Sequence, residues 1–271
     1  MEKISAVIIT FNEEGNLHRC IESVKPVADE IIVLDSFSTD NSADVARKAG
    51  AIVYQHPFSG YKEQKNTALQ FASYNYILSL DADEALSVEL INSILSVKEN
   101  YTGKAYTMNR CNFYCGRFIR HGLWYPDKKL RLFDKRIAYW GGINPHDKIF
   151  LTEQTGICHL KGDILHYSYN SVEEYMKRND EISSIAAESL FEAGVNKSRF
   201  KIFLSPLWRF LKGYFLKLGF LDGHYGFVIA KHTAIQSYLK YKKLNQLQKQ
   251  QKRAVRQTVL PGNLPISFSD K

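Results

Sequence analysis

The sequence has little cysteine, and its thiols are not spaced as a metal site or a disulfide framework. The four cysteines are Cys20, Cys111, Cys115 and Cys158. Cys111 and Cys115 lie four residues apart, but no second pair completes a zinc site. We therefore expect reduced, mostly buried thiols in a cytosolic protein.

Long uncharged apolar runs are also missing. No run reaches the roughly 18 apolar residues of a membrane span, so a transmembrane helix is not expected. Met1 leads straight into strand-like sequence, without the basic and apolar regions of a signal peptide. The 271 residues carry a net charge of +8. This charge permits a nucleotide, a nucleic acid or an acidic membrane as partner, and does not choose among them.

The first hundred residues alternate strand-like and helix-like segments. Short β-branched runs indicate strands at 4–10, 30–34, 51–54 and 76–80. Repeated strand–helix units predict a mostly parallel sheet with helices on both faces. Further strands at 104–113 and 129–133 are expected in a mixed-direction part of that sheet.

The chain is predicted to divide into three parts. Residues 1–195 are expected to form one large domain, 196–246 a helical segment and 247–271 a flexible tail. Aromatic rings and lysines interleave in the helical segment. This composition favours a membrane surface, and helices packed on the large domain are the alternative. Lys and Gln dominate 243–253, which predicts a frayed helix or disorder.

Polar residues stand at the ends of three predicted strands, namely Thr10, Asp35 and Asp81. Ligands of parallel sheets bind beyond the carboxyl ends of the strands, so these side chains are expected to line one crevice. Asp81 also begins an Asp-Ala-Asp-Glu segment, whose carboxylates at i and i+2 can approach one divalent cation. Such an ion would neutralise a leaving nucleoside diphosphate. A solvated turn that caps the next helix is the alternative.

Other side chains are candidates for nucleotide contact. Asp35 can accept hydrogen bonds from a base or ribose, and Glu13 can either hold the nucleoside or cap a helix. Lys62 and Lys65, three residues apart on a predicted helix, can meet phosphates or be surface lysines. Arg131 can present a planar fork to phosphate, or be a surface charge. The donor-binding candidates are Thr10, Asn12, Glu13, Asp35, Lys62, Lys65, Asn66, Asp81, Ala82 and Arg131.

Three segments together resemble the inverting family 2 glycosyltransferases of the GT-A fold. They are VIITFNE at 7–13, VLDS at 33–36 and LDADE at 80–84. The resemblance covers roughly residues 4–150, and it implies that the predicted domain 1–195 is the catalytic domain. It implies an α/β fold with a mostly parallel central sheet and flanking helices, followed here by the helical C-terminal segment. It also implies a nucleotide-diphospho-sugar donor, a Mg²⁺ or Mn²⁺ ion and inversion at the anomeric carbon.

A narrower resemblance extends toward residue 244. WYPD at 124–127, KLRLF at 129–133, HD at 146–147, HYSY at 166–169 and GFLDG at 219–223 are similar to the lipopolysaccharide core β-1,4-glucosyltransferase group. The likeness implies a cytoplasmic enzyme, peripheral at the inner face of the inner membrane. Its donor would be a UDP-sugar carrying a hexose such as glucose, and its acceptor a glycolipid or glycan such as lipopolysaccharide core.

The resemblance also implies roles for single residues. Asp35 would contact the nucleoside, Asp81 and Asp83 the diphosphate and metal, and Asp147 would be the base that deprotonates the acceptor. That group usually has Glu at the position of Asp147, a longer acid.

The remaining candidates rest on the residues around them. Asp127 is the second candidate for the base, because it lies in an aromatic, turn-rich loop where an acceptor sugar can stack. Trp124, Tyr125 and His146 are the acceptor candidates in these loops. His166, after an apolar pair, is either a third metal ligand or a core histidine.

Two other classes of function compete. A nucleotidyltransferase would usually have a Gly-rich, basic phosphate loop after its first strand, whereas this chain has TFNE. A non-enzymatic nucleic-acid or membrane-binding module would leave the strand-end acids unexplained. Within the transferases, an enzyme for another envelope polysaccharide is the closest alternative.

Overall fold

A computed structural model describes residues 2–99, 105–143, 146–195 and 200–259. The chain forms two compact units. The first comprises residues 1–120 and 124–170, and the second 121–123 and 171–271. Residues 171–195, which we expected in the catalytic domain, lie in the second unit, and the boundary at 195 stays a prediction.

The first unit alternates strands and helices through residue 99 and is mainly β-structure after it. Its helices are α1 (Glu14–Val24), α2 (Ser42–Lys48), α3 (Tyr61–Phe71) and α4 (Val88–Glu99). Its strands are β1 (Ile4–Thr10), β2 (Glu30–Asp35), β3 (Ile52–Gln55), β4 (Tyr76–Asp81), β5 (Glu84–Leu86), β6 (Ala105–Tyr114), β7 (Arg117–Phe118), β8 (Asp127–Asp134), β9 (Ala138–Ile143), β10 (His146–Leu151) and β11 (Ile157–Tyr169). Lys104, predicted to start the sixth strand, lies outside the described residues.

Nine of the described strands build one sheet, in the order β3-β2-β1-β4-β8-β6-β11-β5 with β7 beside β6. Strands β3, β2, β1 and β4 are parallel, as predicted. Strand β8 runs antiparallel to both β4 and β6, which confirms the mixed-direction part. Strands β9 and β10 form a separate hairpin.

Apolar side chains cover both faces of this sheet. Ile4, Ile8 and Val33 pack with α1 residues such as Leu17 on one face. Val7, Ile32 and Leu34 pack on the other face with residues of α3 and Trp140. The parallel strands are therefore buried on both sides, which explains their continuous apolar runs. The free thiols are partly as predicted, since Cys20 and Cys111 are buried and Cys115 and Cys158 are half-buried.

The second unit is helical. Its elements are α5 (Val172–Glu192), α6 (Lys201–Leu211), a π-helical turn (Lys212–Leu216), a 3₁₀ turn (Gly219–Asp222) and α7 (Gly223–Val259). Helix α7 includes residues 247–259 of the predicted tail, because its Lys, Gln and Leu are good helix formers. Residues 260–271 lie outside the described part. In the part that is described, no helix is both long and apolar enough to cross a membrane.

Candidate active site

The three polar strand ends lie side by side at one edge of the sheet. Thr10 of β1 is in register with Asp35 of β2, and Ile9 with Asp81 of β4. The carboxyl ends of these parallel strands therefore meet, as the sequence predicted.

Two cations bridge the acids beside this edge. The Lys65 ammonium lies 3.0 Å from Oδ1 of Asp81 and 2.9 Å from Oδ2 of Asp147. Nη2 of Arg131 lies 3.0 Å from Oδ2 of Asp81 and 3.1 Å from Oε1 of Glu84. Four strands and a helix thus contribute to one charged cluster: β4, β5, β8, β10 and α3.

The neighbouring cations keep the buried Asp81 carboxyl group ionised. Burial alone would raise the pKa of Asp81, but Lys65 and Arg131 outweigh it and hold that pKa far below its ordinary value. Burial opposes the charge of Arg131, yet Glu84 and Asp81 raise the pKa of the guanidinium. At neutral pH both groups are charged.

Several buried polar atoms at this edge have no hydrogen-bond partner among the described residues. They are Oγ1 of Thr10, Oδ1 of Asp81, Nε and Nη1 of Arg131, and Nε1 of Trp140. Oδ1 of Asp81 does form an ion pair with the Lys65 ammonium at 3.0 Å, and the same ammonium donates a hydrogen bond to Asp147 at 2.9 Å. Such atoms are costly to bury unless something binds them. The N–H groups of Arg131 and Trp140 can donate hydrogen bonds to an anion. Oδ1 of Asp81 can bind a cation or accept a hydrogen bond.

Asp83 and His166 form a second pair. Nε2 of His166 lies 3.0 Å from Oδ2 of Asp83. The Asn112 amide donates from Nδ2 to the Trp124 carbonyl at 3.4 Å and turns its Oδ1 toward Nδ1 of His166, at 2.7 Å. The Ser168 hydroxyl also lies 2.8 Å from Nδ1, so Asn112 and Ser168 hold this side of the ring while Nε2 faces the Asp83 carboxylate.

This geometry fits a divalent cation. A proton on Nε2 can join the two groups as an ordinary hydrogen bond, and a divalent cation beside them can bind both the ring nitrogen and the carboxylate. Metal-binding histidines are commonly held at their other ring nitrogen by a neighbouring polar group, and Asn112 and Ser168 contact Nδ1 of His166 in this way. The described residues contain no group of three or more His, Cys, Asp or Glu side chains arranged for a metal. A metal at Asp83 and His166 would therefore take its other ligands from substrate or water.

The loops after β1 and β2 are tied together. The Asn12 N–H donates to Oγ of Ser38 at 2.9 Å, and the Thr39 N–H donates to Oδ1 of Asn12 at 2.8 Å. Asp35 is fully buried and accepts from the Ser38 N–H and hydroxyl and, at 3.1 Å, from Gln55. Asn12 and Asp35 thus shape the loops, and direct contact of Asp35 with a nucleoside stays a prediction.

Glu13 lies at the start of α1. Its Oε2 accepts from Asn16 at 2.8 Å. Burial raises its pKa, and the negative charge of Asp83 adds to the effect. Glu13 is therefore a carboxyl group with increased proton affinity beside the proposed metal pair.

The two candidates for the base differ in their partners. Asp127 accepts from Arg110, with Oδ2 at 2.9 Å from Nη2, and its Oδ1 lies 3.1 Å from the Lys129 ammonium. In the part of the chain that the structure describes, the ion-pair partner of Asp147 is Lys65. Asp127 is thus neutralised by two cations and Asp147 by one that it shares with Asp81.

The acceptor candidates are held by an aromatic and polar scaffold. The Trp124 ring packs 5.9 Å from that of Tyr169, between ring centroids. The Tyr125 hydroxyl donates to Oδ1 of Asp163 at 2.8 Å, and burial together with this carboxylate raises the Tyr125 pKa to about 12. The side chain of His146 lies outside the described part.

Two predicted donor-site residues have structural partners, and a third is buried. The Lys62 ammonium lies 3.0 Å from Oε1 of Glu63. The Asn66 amide donates to the Trp140 carbonyl at 2.8 Å and accepts from the Trp140 N–H at 2.9 Å, so it clamps that backbone. Ala82 is buried between the two aspartates.

Comparison with known proteins decides the family. The model of "Glycosyl transferase family 2" matches residues 5–152, which include the strand-end acids and Asp147. The chain belongs to glycosyl transferase family 2.

This family 2 glycosyltransferase has relatives along nearly its whole length. It is 34% identical over 257 residues to an uncharacterized glycosyltransferase of Rickettsia typhi, covering 91% of this chain and 88% of the relative. It is 28% identical over 253 residues to the lipopolysaccharide core biosynthesis glycosyltransferase LpsC of Rhizobium meliloti, covering 90% and 92%. Glucosyl-3-phosphoglycerate synthase of Mycobacterium tuberculosis, solved with Mn²⁺, UDP and glucosyl-3-phosphoglycerate, is 26% identical, with 42% of this chain and 44% of that chain covered and a TM-score of 0.35.

The resemblance found in the sequence is thereby confirmed, as are the GT-A fold and the glycosyltransferase class. Sequence reasoning missed four residues of this family 2 site. Glu84 was seen only as part of the acidic segment, although it is fully buried against Arg131. Arg110, Asn112 and Trp140 were not singled out. A charged or amide residue within the strand-like run 105–114 was the signal available for the first two.

Proposed function

We propose that this family 2 glycosyltransferase moves a hexose, glucose, from a UDP-sugar to a glycan or glycolipid such as lipopolysaccharide core, with inversion. One observation carries the proposal. Unpartnered donors of Arg131 and Trp140 lie at the same sheet edge as Asp81 and the facing pair Asp83 and His166. A diphosphate held with a divalent cation offers the complementary charges. The LpsC name supports the acceptor class.

Mg²⁺ or Mn²⁺ fits at Asp83 and His166. When bound there, the ion supplies positive charge to the leaving diphosphate. Arg131 and Lys65 orient the diphosphate by charge-assisted hydrogen bonds, and their burial strengthens these bonds because little water screens them. The exposed rings of Phe11 and Phe37, on the loops after β1 and β2, offer a surface for the base.

Asp147 is the proposed base. It takes the proton of the acceptor hydroxyl as the oxygen attacks the anomeric carbon and the bond to the diphosphate breaks. Cations lie beside both oxygens of Asp127, whereas only Oδ2 of Asp147 has an ion-pair partner among the described residues. The acceptor hydroxyl can therefore approach Oδ1 of Asp147, and this difference favours Asp147. One base and one leaving group on opposite faces of the sugar give inversion.

A glycolipid acceptor would also set where the enzyme works. The hydrophobic part of such an acceptor stays in the membrane, so we propose a peripheral position at the cytoplasmic face of the inner membrane. A carbohydrate acceptor of another envelope polysaccharide would not need this position.

The test replaces a proposed metal ligand. Asp83→Asn should lower transfer from UDP-glucose by about 10²–10³-fold, the usual cost of losing one electrostatic stabiliser of a transition state. It should also abolish the extra thermal stabilisation that Mn²⁺ gives in the presence of UDP. Glu89→Gln, an exposed carboxylate on α4, is the matched control and should behave as wild type. Undiminished turnover by Asp83→Asn in excess chelator would reject the metal proposal.

A further inference from the structure

Helix α6 exposes a continuous apolar stripe. Its members recur at i, i+3, i+4, i+7, i+8 and i+11, the spacing of one helix face. They are Phe200, Phe203, Leu204, Leu207, Trp208 and Leu211. Phe203 is 71% exposed and Trp208 is 56% exposed, and α6 has no buried residue. In a water-soluble helix such a stripe normally faces the core.

The stripe is not the face by which α6 packs. That face carries the half-buried Ile202, Pro206 and Phe210, and Oγ of Ser205 lies 2.9 Å from Oγ of Ser237 on α7. Helix α6 is therefore apolar on two sides, and only one of them is covered within its own unit.

The apolar surface continues into the turns that join α6 to α7. Exposed side chains there are Phe215, Leu216, Leu218, Phe220 and Leu221. We call the stripe and these five residues together the docking surface.

The turns hold this surface in a fixed conformation. A side chain at Gly226 of α7 would overlap the carbonyl oxygen of Gly219, so the two backbones touch. Leu218 has a left-handed φ of 58°, which places the chain for this contact. Asp222 is 3% exposed and accepts from the N–H and the Nδ1 of His121, at 2.8 and 3.1 Å. The GFLDG segment is thus explained by the packing of the turn.

The charges around the docking surface have one sign. Residues 200–221 contain Lys201, Arg209, Lys212 and Lys217, and no Asp or Glu. At about 100° per residue, Lys201 and Lys212 lie at the border of the stripe, and Arg209 lies beyond them. All four cations are exposed.

We propose that the docking surface inserts into the headgroup region of an anionic lipid bilayer, with α6 lying in the membrane plane. The rings and leucines would enter the boundary between headgroups and acyl chains, and the bordering lysines would meet lipid phosphates. A second copy of the chain suits the surface less well. A symmetric contact would place these cations opposite the same cations of the copy, without acids to balance them.

The proposal rests on the geometry of the second unit, and only the identity of the lipid-borne substrate depends on the proposed function. Membrane docking would bring the enzyme into the plane in which a glycolipid acceptor diffuses. Nucleotide binding, measured without lipid, reports on the first unit separately.

The experiment uses the full chain and sedimentation with vesicles of phosphatidylcholine alone or with phosphatidylglycerol. Wild type should sediment with the anionic vesicles, and Phe203→Glu/Leu216→Glu should partition at least about tenfold less. Met176→Glu/Ile235→Glu, exposed apolar positions on α5 and α7, is matched in charge change and should bind as wild type. Lys212→Gln/Lys217→Gln should lose the preference for anionic vesicles.

Equal binding by the Phe203/Leu216 variant, or an equal loss in the Met176/Ile235 variant, overturns the proposal. The proposal is also overturned if the wild type is a dimer, the Phe203/Leu216 variant is a monomer and neither binds vesicles. That result would assign the docking surface to a second copy of the chain. Thermal stabilisation by UDP and Mn²⁺ should stay unchanged in all variants. If that stabilisation is absent in wild type while vesicle binding remains, the proposed function fails and the docking surface stands.

Discussion

Charged residues lie at both ends of the parallel strands, but the two ends differ in how completely these residues are hydrogen-bonded. At the amino end, Oδ2 of Asp29 lies 2.6 Å from the Lys98 ammonium, which also donates to the Val27 carbonyl at 2.9 Å. Glu30 accepts from the Ser5 hydroxyl at 2.6 Å and from the Ser73 N–H at 2.9 Å. The charges at this end have local partners.

At the carboxyl end, ion pairs are present but partners are incomplete. Arg131 uses one nitrogen for both Asp81 and Glu84 and leaves Nε and Nη1 without a hydrogen bond among the described residues. Since unmet buried donors cost about 1–3 kcal/mol each, an edge that keeps several of them is built to receive a ligand. Burial and pairing therefore occur at both ends, and unmet hydrogen bonds distinguish the end that carries the candidate site.

The largest effect is expected on kcat, from replacing the proposed base at the carboxyl end of the sheet. Asp147→Asn should lower kcat by about 10²–10⁴-fold, because an amide cannot take the acceptor proton. Affinity for UDP should change little. Asp127→Asn is the matched control, since it removes the other candidate acid. Pre-steady-state transfer rates and UDP titrations measure the two quantities. A larger loss of rate in Asp127→Asn would transfer the role to that residue.

A smaller effect, on metal affinity, is expected from replacing Asn112, which contacts the proposed metal ligand His166. Asn112→Leu should weaken the apparent affinity for Mn²⁺ by about 10–100-fold, because the His166 ring loses the amide oxygen that holds its Nδ1 side and orients Nε2. Asn112→Asp keeps an acceptor and should retain most of the affinity. Titration of activity with Mn²⁺ compares the variants. Equal affinities in wild type and Asn112→Leu would contradict the role of this amide.

The smallest effect is expected at the amino end, and it should concern stability alone. Lys98→Met should lower the free energy of unfolding by about 1–2 kcal/mol at pH 7, because Asp29 loses a charged partner. Transfer kinetics should be unchanged. Denaturant unfolding with a parallel rate assay tests both, and a changed kcat would mean that the two ends are not independent.

Acid should reduce this difference in stability. Burial raises the pKa of Asp29, but hydrogen bonds from Lys98 and the Ile4 N–H outweigh it, so the folded pKa lies below the ordinary value. Stability from a lowered pKa is present above the unfolded pKa of about 3.9 and is lost as pH falls through the folded pKa. Unfolding curves at pH 7 and pH 3 should therefore show a smaller gap between wild type and Lys98→Met at the lower pH.

The sequence alone predicted that the strand-end residues of the candidate site lie together. Thr10, Asp35 and Asp81 follow apolar strands, and parallel strands must end at a common edge. Arg110 and Asn112 lie on β6, and the apolar pattern does not specify how β6 pairs with β8, because both strands are mixed in burial. Trp140 lies on β9, in the separate hairpin with β10. Their hydrogen bonds therefore appear only in three dimensions. The unmet donors of Arg131 depend on angles, which no spacing rule provides.

The pair formed by Glu84 and Arg131 has a consequence for how this enzyme can diversify. Glu84 is fully buried, and removing one member of such a pair typically costs about 3–5 kcal/mol, a large share of the stability of a domain. Few single substitutions at either position would leave a folded chain. Changes in donor preference should instead accumulate at solvent-facing positions such as Phe11 and Phe37, where a new side chain disturbs no buried charge.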